Sequence, residues 1–152
     1  MSIKHLLTAL LILLVIGCAK ETAQVEVQTG IGWMTDIEEA VQLARTENRP
    51  VMIDFMANWC PPCKKMEATT FKQETVIDKA GEFIAVRIDV DQQPDVANHY
   101  ESNAGKYGGI GIPNILFLSP DQKKIAHPIG YLSPERMVAI MDSVLTLFKM
   151  DH

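Results

Sequence analysis

Two apolar spacings alternate along this chain, and the switches between them mark its elements. Ile37, Ala40, Val41 and Ala44 lie three, one and three residues apart, the signature of one helix face. Thr35 is expected to cap that helix, with Glu38 as the other half of a capping box, and Pro50 ends it. Val51 to Met56 is apolar except at Asp54 and predicts a buried strand. A helix is expected from Pro61 to about Thr69, a short one from Glu74 to Ala80, and a strand from Phe83 to Val90. Pro94 to about Ser102 predicts another helix, and Lys106 to Gly111 a glycine-rich turn. Asn114 to Ser119 and Lys124 to Ile129 predict two strands joined by a turn at Ser119-Pro120-Asp121-Gln122. Ser133 and Pro134 open a last helix, whose stripe is Met137, Ile140, Met141, Val144, Leu145 and Phe148. A βαβ unit followed by a ββα unit builds one central mixed β-sheet flanked by helices, an α/β fold.

The N-terminus has a different pattern. Lys4 and His5 precede an apolar run from Leu6 to Gly17. Twelve residues are too few for a membrane span, which needs about 20, and suit the apolar region of a secretory signal. The run ends Val15-Ile16-Gly17-Cys18. This resembles the bacterial lipoprotein signal, in which small residues admit the peptidase and the cysteine thiol takes a diacylglyceryl group. The resemblance implies a signal peptide over 1–17, a lipidated Cys18 with a polar tether over 18–30, and a folded domain over 31–152. It also implies export to the periplasmic side of a bacterial membrane, held there by acyl chains that each contribute about 0.8 kcal/mol per buried CH₂. The competing reading is an uncleaved anchor with an incidental cysteine. Ala19 after Cys18 tilts the expectation toward the outer membrane.

The remaining length holds one domain with its own core. The net charge of −5, without a Lys/Arg block, speaks against a nucleic-acid partner. Nothing in the sequence calls for a dimer, so a monomer is expected.

With Cys18 assigned to lipid, Cys60 and Cys63 are an isolated pair in Trp59-Cys60-Pro61-Pro62-Cys63. Two thiols at this spacing close a small ring, and a lone pair in an exported protein is better suited to redox chemistry than to scaffolding. A zinc site needs four ligands, and His99, His127 and His152 lack ligand spacing to the pair. The histidines are read as solvated surface residues. No metal and no cofactor beyond the redox-active disulfide are expected. Cys60 falls at a helix N-terminus, where negative charge is favoured, and is the expected exposed nucleophile. Cys63, one turn on and less exposed, would resolve the mixed disulfide. Asp54, six residues before Cys60 in an apolar strand, is costly there unless hydrogen-bonded or protonated, and burial would raise its pKa.

The segment Val51 to Met66, the stretch Asp89-Val90-Asp91-Gln92-Gln93-Pro94 and the segment Lys106 to Asn114 together resemble a thioredoxin-fold protein. Arg49 to Cys60 and Cys63 to Phe71 are similar to the periplasmic C-terminal domain of the transmembrane thiol:disulfide interchange reductase. The resemblance runs from Trp33 to Phe148. Pro61-Pro62 departs from it and resembles the membrane-tethered thioredoxin-like proteins of cytochrome c maturation.

The resemblance implies a proton relay between Asp54 and the resolving cysteine. It places Arg87 where thioredoxins often carry a lysine, either paired with Asp54 or turned to solvent. It implies a cis peptide bond at Pro113, with the Ile112 backbone free to pair with an extended substrate segment, and Trp59 either contacting substrate at the lip of the site or packing. The implied activity is protein disulfide reduction, with protein thiols and disulfides as partners and a membrane thiol as electron donor. An oxidase or isomerase is the alternative within enzymes. A thioredoxin-like chaperone for Cu(I) or apocytochrome is the alternative of another class.

Overall fold

In the computed structural model, residues 29–100, 102 and 109–151 are described. Cys18, the signal and most of the tether lie outside the described residues, as do His152 and part of the Lys106 to Gly111 turn.

The elements in chain order are α1 (Ile37–Glu47), β1 (Val51–Met56), α2 (Pro61–Thr69), α3 (Glu74–Ala80), β2 (Ile84–Asp89), α4 (Pro94–His99), β3 (Asn114–Leu118), β4 (Lys124–Ala126) and α5 (Pro134–Met150). The strands form one mixed sheet in the order β2-β1-β3-β4. β1 runs parallel to β2 and antiparallel to β3, and β3 runs antiparallel to β4. Met34 bridges to Val86 beyond β2 and covers part of that edge. Among the described residues, no helix is long and apolar enough to cross a membrane.

Strand alternation sorts the core into two layers. Val51, Ile53, Phe55, Ile84, Val86, Ile88, Leu116 and Leu118 pack with Ala40 and Ala44 of α1 and Ala97 of α4. Met52, Ala85, Ile115 and Phe117 face the other way and pack with Val76 of α3 and with Met137, Met141 and Val144 of α5. Each fully buried Val, Leu, Ile, Phe or Met among them stabilises the fold by roughly 1.5–3 kcal/mol relative to exposure. Asp54 and Arg87 lie on the second face, opposite each other in register.

Three details differ from expectation. Asp36, not Thr35, caps α1, its carboxylate accepting from the N–H groups of Glu38 and Glu39. A carboxylate also gains from the positive end of the helix, which a hydroxyl does not. β4 stops at Ala126, and only an isolated bridge from Ile129 to Asn114 continues the pairing. α4 ends at His99, before Ser102.

The Thr70 hydroxyl donates to the Leu132 carbonyl at 2.6 Å. That buried bond fastens the end of α2 to the segment entering α5, and so holds the cysteine helix against the sheet.

Candidate active site

β1 delivers the chain to a corner at Ala57 to Trp59, where the Cys60 N–H bonds the Ala57 carbonyl at 3.1 Å. Cys60 then occupies the N-cap of α2 with extended backbone, and Pro61 and Pro62 fill the first two helical positions. Both prolines lack an N–H, so the first side-chain bond available to the cap comes from Cys63, whose N–H points at Cys60 Sγ at 3.3 Å. The two sulfurs are joined in a disulfide, with Cα atoms 5.3 Å apart.

The exposure expected for Cys60 is not seen. Cys60 is 2% exposed and Cys63 6%, so neither thiol stands out from the surface and Cys63 is not the less exposed of the two. The N-cap geometry turns Cys60 Sγ back over the start of the helix, and Ile112 packs against the cluster that contains both cysteines. Trp59 is the exposed member of the corner, at 47%. Its indole N–H donates to Asp91, and Asn58 donates to Asp89 at 3.2 Å, so the end of β2 and the loop after it hold the lip of the site.

Asp54 is 3% exposed. Burial pushes its pKa up to about 6, against the lowering effect of the Arg87 charge and hydrogen bond and with a smaller upward push from Glu67. Arg87 is not turned to solvent. Its Nε donates to Asp54 Oδ2 at 2.9 Å, and its Nη2 lies 2.7 Å from Glu67 Oε2. The guanidinium carbon sits 4.3 Å from the centre of the Trp33 ring and 5.3 Å from that of Phe71. A cleft of about 250 Å³ opens here, lined in part by Asp54, Cys63, Glu67 and Arg87. It brings the buried acid and the second cysteine to one small space.

Ile112 packs against the core cluster that includes both cysteines, its bond to Pro113 is cis, and Gly111 has φ +93°. Asn114 and His127 are bonded to each other behind this turn. His127 is half-buried and hydrogen-bonded, which corrects its reading as a solvated residue, because the register of β3 brings the polar side chain of Asn114 beside its ring. Among the described residues, no three His, Cys, Asp or Glu side chains converge as a metal-binding group.

Sequence reasoning missed Glu67 and Asn114. Glu67 stands four residues after Cys63, on the same helix face, and that spacing was a usable signal. Asn114 is a polar residue opening an otherwise apolar strand, directly after Pro113.

A sequence model of the thioredoxin-like family matches residues 32–120. The thiol:disulfide interchange protein DsbD of Campylobacter jejuni is 26% identical over 106 residues, which cover 70% of this chain and 18% of that protein. Thioredoxin 1 of Chlorobaculum tepidum is 40% identical over 82 residues, covering 54% of this chain and 72% of that one. Among solved structures, the reduced C-terminal domain of Neisseria meningitidis DsbD aligns with a TM-score of 0.56 at 25% identity, covering 69% of this chain and 90% of that domain. The chain thus spans less than a fifth of the length of the DsbD protein it matches.

Proposed function

This chain belongs to the thioredoxin-like family, and on that premise we propose that it is a thiol:disulfide oxidoreductase, an exported, lipid-anchored reductase of protein disulfides. The observation that carries the proposal is the cysteine pair at the start of α2, with Cys63 and Asp54 lining one cleft.

In the reduced protein the Cys60 thiolate attacks one sulfur of a substrate disulfide. The substrate bond breaks, a mixed disulfide forms, and the other substrate sulfur leaves as a thiolate. Cys63 gives its proton to Asp54 and attacks Cys60 Sγ. The second substrate sulfur leaves as a thiolate and the Cys60–Cys63 disulfide closes. The substrate gains two electrons and the cysteine pair loses two. A membrane-bound dithiol donor returns two electrons to the pair, and no other cofactor is needed. Trp59, Ile112 and Pro113 contact the substrate, and the chain works as a monomer.

The two prolines support the reducing direction. An N-cap anion accepts from the N–H groups at the second and third helical positions, and Pro62 removes the second. A less stabilised thiolate makes the dithiol a stronger reductant. The direction is tested by equilibrating the full-length chain, in detergent, with glutathione or dithiothreitol buffers. A potential at or below about −250 mV supports the reductase, and one near about −120 mV assigns the opposite direction.

The anchor is tested separately, by inhibiting lipoprotein signal peptidase in cells. An unchanged mass with unmodified Cys18 would overturn it.

A further inference from the structure

The Asn114 side chain is 0% exposed, so its amide is costly unless both ends are bonded. Both are. Nδ2 donates to the Gly111 carbonyl at 2.6 Å, and Oδ1 lies 2.9 Å from His127 Nε2. An amide oxygen only accepts, so His127 carries a proton on Nε2 and donates it. Ser102 Oγ sits 3.4 Å from the same nitrogen and gives its own proton to the Tyr100 carbonyl at 3.0 Å. Thus β3, the segment after β4 and the chain beyond α4 converge on one carbonyl of the turn whose Ile112 packs against the cluster that holds the cysteines.

The Gly111–Ile112 peptide is trans, and its C=O and N–H point in opposite directions. Holding the Gly111 carbonyl on Asn114 therefore turns the Ile112 N–H away from Asn114. The Pro113 carbonyl is also taken, by the Gly130 N–H at 2.8 Å. Among the described residues, the backbone N–H and C=O of Ile112 have no backbone partner. Gly111, at φ +93°, is in the left-handed region that lets its carbonyl face inward.

We propose that Asn114 and His127 are positioning residues that preset the Ile112 backbone for pairing with an extended polypeptide, and so make the enzyme select protein disulfides over small ones. The inference rests on the oxidoreductase reading above. A small disulfide without a peptide backbone offers the Ile112 main chain nothing to pair with. Its reduction depends on the cysteines alone, whereas a protein substrate also depends on the angle of the Gly111–Ile112 plane. Asn suits the place because it donates and accepts at once, and His127 suits it because its donor keeps the amide from rotating.

The test compares kcat/KM for insulin with kcat/KM for 2-hydroxyethyl disulfide, using the full-length chain in detergent. Asn114→Ala and His127→Leu are expected to lower the insulin-to-small-disulfide ratio about tenfold, through KM for insulin and at unchanged reduction potential. His127→Gln, which restores an N–H donor, is expected to keep the ratio near wild type. If Asn114→Ala does not fold, the two His127 variants decide alone. An unchanged ratio in His127→Leu, or equal loss on both substrates, overturns the proposal while leaving the oxidoreductase reading in place. A wild-type chain that reduces neither substrate overturns both.

Discussion

Arg87 and Asp54 face each other in register across the parallel strands β2 and β1, joined by a 2.9 Å hydrogen bond from Nε to Oδ2. The same guanidinium reaches Glu67 on the cysteine helix and lies against the touching rings of Trp33 and Phe71. One cation thus links the buried acid, the helix that carries the cysteines and the aromatic wall behind them. The acid nevertheless stays hard to ionise, because its desolvation outweighs what Arg87 returns.

That balance sets a pH dependence of stability. Asp54 releases its proton near 3.8 in the unfolded chain and near 6 in the folded one. Between these values the folded state holds a proton that the unfolded state has lost. Stability therefore falls as pH rises from about 4 to 6, by about 2–3 kcal/mol, and the loss stands in full above 6. In Asp54→Asn this dependence is absent. Its unfolding free energy relative to wild type should rise by about 2–3 kcal/mol between pH 4 and pH 7. Denaturant titrations at the two pH values check it, and a constant difference would contradict it.

The same proton appears in the kinetics. If ionised Asp54 takes the proton of Cys63, resolution of the mixed disulfide slows as pH drops through about 6. Arg87 lowers the pKa of Asp54, so Arg87→Ala should move this limb to higher pH, with resolution at pH 6.5 slower by roughly threefold to tenfold. Stopped-flow traces of mixed-disulfide decay give the limb directly. A limb that stays in place, or moves down, would remove Arg87 from the proton transfer.

Pro62 occupies the helical position whose N–H would otherwise reach the Cys60 sulfur. Pro62→Ala supplies that donor. A charge-assisted hydrogen bond contributes about 1.5 kcal/mol to the thiolate, and for a two-electron couple this raises the potential by about 30 mV. The redox titration that places the wild type also reads this change. A potential that falls in the variant would show that the prolines act by another route.

The sheet, its helices and the cysteine corner were legible in the sequence because each is written in local signals. β1 is a short apolar run, α5 is a regular stripe, and Cys60-Pro61-Pro62-Cys63 sits at the junction of a strand and a helix. What the sequence could not supply was pairing between distant elements. Whether Arg87 turns toward Asp54 depends on the register of β2 against β1, and no local pattern carries that register. Cys60 is buried in a core cluster against which Ile112, far along the chain, also packs. His127 reads as a surface residue until β3 brings Asn114 beside it. The cap of α1 was missed for a smaller reason, since Thr35 and Asp36 are adjacent and both are good caps.

Trapping the mixed disulfide tests the central claim most directly. Reduced Cys63→Ser and Cys60→Ser variants would each be mixed with a disulfide-bonded peptide and read by mass. The account predicts a single adduct on Cys60 in Cys63→Ser, none on Cys63 in Cys60→Ser, and in the wild type no adduct but a closed Cys60–Cys63 disulfide. An adduct on Cys63, or no adduct in either variant, would contradict it.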